Sequence, residues 1–300
     1  MVGGNVELER VSVHDCVAHG SFTAHGGGVA GWNSLRLTSS VVYASSAIVD
    51  ETGFPSIGGG AYGGRWLTLD HSLLCHNEAA SGGGGWAAET LTARYSTVRN
   101  NVGGGAQALA GTVERSTFSH NVGAGLEIGV AINSFSKVVN STFSSNRGSG
   151  LLVGGDALLA QNTIAYNTAP RVGGTCPGGL DLASGALQMR GNLVAHNACD
   201  GIPLDFTRGS ETSFVLPTDG NLIMYAASPV PPGTLSSDPR LLPLANNGGP
   251  TLTHALAVDS PAIDAGSGDE NAKPYDQRGI GFRRIVGGHA DIGAFERQQP

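Results

Sequence analysis

The six-residue segment STFSHN at 116–121 returns as STFSSN at 141–146, and this repetition decides the fold. Seven further segments align with it: DCVAHG (15–20), SVVYAS (40–45), SLLCHN (72–77), STVRNN (96–101), NTIAYN (162–167), NLVAHN (192–197) and NLIMYA (221–226). Consecutive segments start roughly 20 to 32 residues apart, a spacing typical of solenoids. In such folds each unit buries its apolar face against its neighbours, so the recurring word has to stack in register.

Two positions of the repeat are restricted in composition. The third position is always a branched or aromatic apolar residue, which fits the interior of a pleated sheet. We therefore expect this column to point inward. At the sixth position, we expect an asparagine to adopt left-handed backbone geometry and to hydrogen-bond to the asparagine of the next coil. This asparagine ladder is predicted at Asn77, Asn101, Asn121, Asn146, Asn167 and Asn197.

Glycine clusters separate the repeats, as in GGGAYGG (58–64), GGGGW (82–86) and GGGA (103–106). They predict sharp corners with positive φ. No window of helical length shows an apolar i, i+3, i+4, i+7 pattern, and glycine at this density disfavours helices. The sequence therefore predicts an all-β fold: a single-stranded right-handed parallel β-helix over 1–228, followed by a C-terminal linker and cap over 229–300 packed on the same rod.

Composition excludes several classes of partner. The formal net charge is −7 and lysine occurs only at Lys137 and Lys273, so we expect no nucleic-acid binding. Apolar runs are too short for a membrane-spanning helix. The first residues, MVGGNVELER, lack the pattern of a signal peptide and read as the interior of a longer chain. An uncovered first coil predicts edge-to-edge homodimerisation.

The C-terminal part carries distinctive words: SDPRLLPLANNGGPTLTHAL (237–256), SPAIDAGS (260–267), DQRG (276–279) and DIGAFE (291–296). In this order they resemble the end of bacterial choice-of-anchor Q proteins. The repeats themselves are similar, over shorter stretches, to those of polymorphic outer membrane proteins. The first resemblance implies a β-helical ectodomain exported to the bacterial cell surface or the extracellular space.

Charges of both signs surround these C-terminal words. This mixture predicts a lid that folds over the open final coil and shields its edge. An ionic or calcium site is the alternative interpretation. The residues concerned are Asp264, Asp276, Arg278, Arg283, Arg284, Asp291 and Glu296.

The four cysteines form no CxxC pair, which gives no support to a zinc or redox site. Cys176 and Cys199 are separated by about one coil, which would place them on neighbouring rungs. They are therefore a candidate disulfide, and buried free thiols are the alternative.

A polysaccharide lyase or hydrolase of this fold needs acidic and basic side chains that converge on adjacent coils, with calcium as cofactor in a lyase. The best candidates are Asp70, Arg94 and Glu114, at the same offset from three successive repeats. The alternative is a solvated charge ladder, which contributes little to stability. The chain also lacks the long insertions that would build a deep cleft.

Histidine recurs at the fifth position of the repeat, as His19, His76, His120 and His196. The nearest of these lie two coils apart, so no metal site is predicted and an outward polar stripe is expected. Trp32, Trp66 and Trp86 lie near glycine corners of the early coils. They are candidates for stacking on sugar rings, or alternatively for packing over glycine.

These observations favour a secreted or surface-displayed, non-catalytic β-helix that serves as a stalk, adhesin or glycan-contacting module. No cofactor is predicted for it, and its expected partner is a polysaccharide or cell-surface glycan. The alternative function is a polysaccharide lyase or glycoside hydrolase that acts on an acidic polysaccharide.

Overall fold

The structure, a computed structural model, describes residues 2–50, 55–129, 135–171, 178–266 and 273–298. These residues form parallel strands stacked coil upon coil, with no α-helix among them. Each coil contributes to two long sheets, named sheet A and sheet B below. The fold is the predicted parallel β-helix.

Sheet A has fourteen strands within the described residues. In most coils the chain bends in the middle of its sheet A segment, which gives either two short strands or one long strand with a register shift. The strands are Val2–Glu9, Val29–Thr38, Ala61–Gly63, Trp66–Asp70, Gly85–Arg94, Ala106–Glu114, Leu126–Ile128, Phe135–Val139, Leu151–Val153, Asp156–Ala160, Leu180–Leu182, Gly185–Arg190, Phe206–Arg208 and Thr212–Phe214.

Sheet B has nine short strands in the described part of the chain, and eight of them coincide with the sequence repeats. Their middle residues point inward and stack, as the rings of Phe118 and Phe143 do at 5.3 Å. The strands are Ser12–His14, Val41–Tyr43, Leu73–Cys75, Thr97–Arg99, Thr117–Ser119, Thr142–Ser144, Thr163–Ala165, Leu193–Ala195 and Leu222–Ile223.

Smaller sheets complete the coils. Val17–Gly20 pairs with Ser46–Val49, and Ala24–His25 pairs with Ser56–Ile57. A three-stranded sheet contains Thr168–Ala169, Ala198–Cys199 and Ile202–Pro203. In the C-terminal segment, Leu241–Ala245 and Thr253–Leu256 form an antiparallel hairpin.

The first repeat is shifted by four residues from its predicted alignment. Val13, not Val17, occupies the inward column, because Ser12–His14 pairs with Val41–Tyr43. Val17 lies on another face and is 61% exposed. The segment DCVAHG has an apolar residue at its third position, as the other repeats do. It nevertheless contains the next strand of the coil, Val17–Gly20, and not the strand of sheet B.

The six predicted ladder asparagines are buried and lie in one column. Each side-chain amide donates to the side-chain oxygen of the next, at distances between 2.8 and 3.1 Å. At the end of the column Asn197 donates to Asp205, at 2.8 Å. The predicted left-handed geometry falls elsewhere: positive φ occurs at the fifth position, at residues such as His76, Asn100 and His120, and not at the asparagine.

A second ladder was not predicted. It occupies the first position of the repeat, where a buried side-chain oxygen accepts the backbone N–H of the preceding coil. The restriction of this position to serine or asparagine was visible in the sequence. Its members are Ser40, Ser72, Ser96, Ser116, Ser141, Asn162, Asn192 and Asn221.

The glycine clusters have a second role beside the predicted corners. Gly58 and Gly82 have positive φ, as expected. The third glycine of each of these clusters instead packs on a ladder asparagine: a Cβ on Gly60 would lie 2.6 Å from Asn77 Nδ2, and one on Gly105 would lie 2.9 Å from Asn121 Nδ2. The same contact recurs at Gly84, Gly125, Gly150 and Gly179.

The C-terminal segment lies mainly along the side of the rod, which differs from the expected lid, although Leu235 pairs with Leu222 at the final strand of sheet B. Thr117 Oγ1 donates to Leu252 O at 2.7 Å, Thr142 Oγ1 donates to Gln277 Oε1 at 2.6 Å, and Ala294 N donates to Thr163 Oγ1 at 2.9 Å. These threonines are outward residues of consecutive strands of sheet B. Their hydroxyl groups form a polar column to which the segment can hydrogen-bond.

Candidate functional site

Aromatic side chains gather on the outer face of sheet A in the early coils. Tyr62 and Trp86 are register partners, and their rings are parallel at 5.3 Å. Trp32 meets Tyr62 edge-on at 5.7 Å and is 54% exposed. His25 packs edge-on against Tyr62 at 4.7 Å. We call His25, Trp32, Tyr62 and Trp86 the aromatic surface.

Glycine at the bend of the coil makes room for this surface. A Cβ on Gly64 would lie 1.8 Å from Trp32 O, so only glycine allows the two coils to approach here. Burial lowers the pKa of His25. His25 Nδ1 is buried without a hydrogen-bond partner, so His25 contributes mainly as a ring.

Trp66 lies in a different column from the other two tryptophans. It pairs in register with Ser34 and Thr90 and is 41% exposed. The Arg65 guanidinium lies 4.6 Å from the centre of its ring and bonds to Glu89 at 2.7 Å. The structure thus brings Trp32 and Trp86 onto one surface, through Tyr62, and places Trp66 beside it with a cation on one face.

A depression of about 400 Å³ adjoins the aromatic surface. Trp86, Gln107 and Leu109 are among the residues that line it. Gln107 Nε2 donates to Glu127 Oε1 at 3.2 Å, and burial raises the pKa of Glu127. Polar groups therefore continue the outward column directly beyond the rings.

This outward column was not predicted from the sequence. Its members follow Trp86 at corresponding positions of successive sheet A strands, and from Gln107 to Asp181 each lies between two inward apolar residues. The alternation in GLEI and GLDL was the available signal. Asp181 belongs to it, accepts a hydrogen bond from Thr207 at 2.8 Å, and has a pKa raised by burial. The column comprises Tyr62, Trp86, Gln107, Glu127, Leu152, Asp181 and Thr207.

The candidate catalytic residues Asp70, Arg94 and Glu114 occupy one column on consecutive coils. Their side chains do not converge on a common point. Asp70 Oδ1 lies 2.8 Å from His71 Nδ1. Glu114 is nearly buried and bonds to Arg115 at 2.7 Å and to Lys273 at 3.2 Å.

The histidine column is outward and polar. His76 Nε2 lies 3.3 Å from Asn100 Nδ2, and His196 stacks on Tyr166 at 5.0 Å. His19 is not a member, because it lies in the small sheet and pairs with Asp50 at 3.0 Å. Among the described residues, no three His, Cys, Asp or Glu side chains are grouped so that they could hold a metal ion.

Cysteine residues differ in state. Cys16 and Cys75 are free thiols, and burial raises the pKa of Cys75. Cys199 is buried and disulfide-bonded. Cys176 lies outside the described residues, so the pairing of Cys176 with Cys199 stays a prediction.

The charged C-terminal words form a buried ionic cluster. Arg278 bonds to Asp276 at 2.6 Å and lies between the rings of Phe282 and Phe295, at 4.0 and 3.9 Å. Arg284 bonds to Glu296 at 3.1 Å. Arg278 and Arg284 each bond to a carboxylate from another of these C-terminal words or from their own, so these contacts hold the C-terminal segment together.

Carboxylates in this cluster also accept backbone hydrogen bonds. Burial raises the pKa of Glu296 to about 8, although Arg284 and the N–H groups of Asp291 and Val286 oppose this shift. Asp291 Oδ1 accepts from Asp264 N at 2.9 Å. Arg283, also expected in the cluster, is exposed.

Comparison with known proteins supports the fold. Residues 73–215 match the family model described as a right handed beta helix region. A crystal structure of pectate lyase Pel9A is similar to this chain with 15% identity and a TM-score of 0.38, over 88% of each chain. No curated protein matches. This protein thus has the fold of a right-handed parallel β-helix, which the strand pairing and the family model support.

Proposed function

We propose that this protein is a non-catalytic β-helical rod, secreted or displayed on a cell surface, that contacts glycans through the aromatic surface. The observation that carries the proposal is the exposed Trp32 ring, held edge-on to Tyr62 beside the parallel Trp86. The apolar C–H faces of sugars pack on aromatic rings, and nearby polar groups fix their orientation. Gln107 and Glu127 supply such groups next to the rings.

The rod geometry suits an extended ligand. Outward side chains of consecutive coils lie ~4.8 Å apart, so one column presents a regular row of contacts along the axis. The column from Tyr62 to Thr207 begins with rings and continues with an amide, two carboxyl groups separated by Leu152, and a hydroxyl. A glycan chain that lies along the rod would meet stacking groups first and hydrogen-bonding groups next.

Calorimetric titration against a panel of neutral and acidic oligosaccharides tests the proposal. We expect Trp32→Ala to weaken binding by about tenfold, which corresponds to ~1.4 kcal/mol. Phe135→Ala is the control, because Phe135 is a 66% exposed aromatic residue farther along sheet A. Equal losses in both variants, or no binding by the wild type, would contradict the proposal.

The catalytic alternative is less well supported by the geometry. Glu114 is bonded to Arg115 and Lys273, which leaves it poorly placed to act on a substrate. Incubation with polyuronates, with and without calcium, and measurement of ultraviolet absorbance and reducing ends test this alternative. A product signal that disappears in Asp70→Ala or Arg94→Ala would replace a binding function by a lyase or hydrolase.

We further propose that the chain is a bacterial choice-of-anchor Q type protein. The docking of DQRG and DIGAFE supports this, since Gln277 and Ala294 bond to outward threonines of sheet B and so give these words a structural reason to recur. The described residues contain no helix long and apolar enough to cross a membrane. Edge-to-edge dimerisation also stays a proposal, and light scattering after size exclusion tests it.

A further inference from the structure

Sheet B is covered over only part of its length. The C-terminal segment hydrogen-bonds to its outward residues from Thr117 to Thr163. Within the described residues, no hydrogen bond joins this segment to the four preceding strands, Ser12–His14, Val41–Tyr43, Leu73–Cys75 and Thr97–Arg99. The outer face of sheet B is therefore open over the early coils and closed over the later ones.

A cavity of about 440 Å³ lies where the covering ends. Its floor is formed by Leu73 and Thr97, and the C-terminal segment closes one end with Pro250 and Leu252. Volumes of this size are typical of small-molecule sites. The cavity is large enough for a sugar residue, and its far side continues onto the open strands.

Rings form one wall of the cavity. His71 and Tyr95 stack at 4.8 Å, and the Arg115 guanidinium lies 5.5 Å from the Tyr95 ring on the way to its bonds with the C-terminal segment. Asp70 holds His71 at 2.8 Å. Both rings of this wall are thus held by contacts within the protein.

Arg99 brings a positive charge to the same cavity. Among the described residues it forms no salt bridge, whereas the nearby carboxylates of Asp70 and Glu114 are already paired. A guanidinium presents a planar set of donors that matches a carboxylate, and Thr97 lines the same cavity. An unpaired cation in a concave site is notable in a protein with a formal net charge of −7.

We propose that this cavity binds a carboxylate-bearing sugar, with Arg99 on the carboxylate and the ring body over Leu73 between the Tyr95 wall and the C-terminal segment. The site lies on a different sheet from the aromatic surface and does not depend on it. A glycan with acidic sugars would continue from the cavity along the outward residues Val41 and Tyr43 of the open strands.

Titration of the full chain with an oligomer of galacturonic acid tests the assignment, with an oligomer of galactose as the neutral counterpart. We expect Arg99→Gln to weaken binding of the acidic oligomer at least tenfold and Arg99→Lys to restore part of it. Arg36→Gln is the matched control, because it removes an equal charge from an exposed strand position on sheet A. Phe135→Ala, which removes an exposed aromatic side chain outside both sites, should leave this binding unchanged.

Several outcomes would overturn the proposal. Equal losses in Arg99→Gln and Arg36→Gln would indicate general electrostatic attraction. Equal binding of the neutral and acidic oligomers would show that the carboxylate is not recognised. Complete competition by inorganic sulfate or phosphate would show that the cavity binds anions in general and not a sugar. Absence of binding to either oligomer would reject it. Loss in Trp32→Ala alone would assign the acidic oligomer to the aromatic surface.

Discussion

At the scale of single residues, the sixth-position asparagine stabilises the rod because all its hydrogen-bonding groups are used. Asn121 Nδ2 donates to Val98 O and to Asn146 Oδ1, and its Oδ1 accepts from the backbone and side chain of Asn101. The column could be predicted from the sequence because burial restricts it to asparagine. The left-handed fifth position could not, because its side chain faces outward and tolerates several residue types.

Asn121→Ala should destabilise the rod by roughly 3 kcal/mol, because it leaves buried partners on both neighbouring coils unsatisfied. The control is Asn33→Ala, which removes an exposed hydrogen bond to Asn5 and should cost about 1 kcal/mol or less. Urea unfolding followed by circular dichroism measures both. Similar midpoints for the two variants would show that the ladder adds little.

At the scale of the coil, a strand could be located from the sequence where its positions accept few residue types. A strand could not be located where only its pairing with the neighbouring coil distinguishes one alignment from another. The repeats identified eight strands of sheet B, since each carries an inward apolar residue beside serine or asparagine. The first coil was misaligned because Val13 and Val17 are equally apolar, and only pairing with Val41–Tyr43 distinguishes them. The outward column beyond Trp86 was missed because its members share exposure, not residue type.

The glycines that pack on the ladder asparagines provide a test at this scale. A Cβ on Gly105 would lie 2.2 Å from Gly125 O as well as close to Asn121, so Gly105→Ala forces neighbouring coils apart. We expect a loss of about 3 kcal/mol. Gly4→Ala meets no atom within 4 Å and should be nearly neutral. Thermal unfolding of the two variants gives the comparison, and equal melting temperatures would contradict the packing role.

The predicted disulfide also belongs to this scale, since it would join neighbouring coils. Peptide mapping without reduction should find Cys176 linked to Cys199, with Cys16 and Cys75 available to alkylation in the unfolded protein. Recovery of a linkage that includes Cys16 or Cys75 would contradict the assignment. Reduction should lower the melting temperature, because a cross-link restricts the unfolded chain.

At the scale of the whole molecule, the C-terminal segment determines which faces of the rod a ligand can reach. It covers sheet B over the later coils and leaves the aromatic surface and the open strands free. The sequence indicated that these words belong together and pack on the rod. The sequence could not indicate where on the rod they pack. The docking position depends on a column of threonine hydroxyl groups, and this column exists only once the coils have stacked.

His254 makes this docking sensitive to acid. Its Nδ1 lies 2.7 Å from Leu242 O, which can only accept, so Nδ1 carries the proton and Nε2 accepts from Ser144 Oγ at 2.9 Å. Burial lowers the pKa of His254, and the nearby His196 and His120 add to this. Because the pKa in the docked state is below 6.5, the stability from neutral His254 is present above pH 6.5 and is lost as the pH falls through the lowered value.

Hydrogen exchange of the Thr253–Leu256 strand should therefore show weaker protection at pH 5 than at pH 7 once intrinsic rates are corrected. Glu296 has the opposite effect. Because its pKa is raised to about 8 in the docked state, protonated Glu296 stabilises docking at low pH, and this stabilisation is lost as the pH rises. The informative quantity is the difference between wild type and His254→Gln, in which the Glu296 contribution cancels. This difference should shrink towards acid pH, whereas His289→Gln, at an exposed position, should match the wild type throughout. A constant difference would mean that His254 fastens the segment by packing alone.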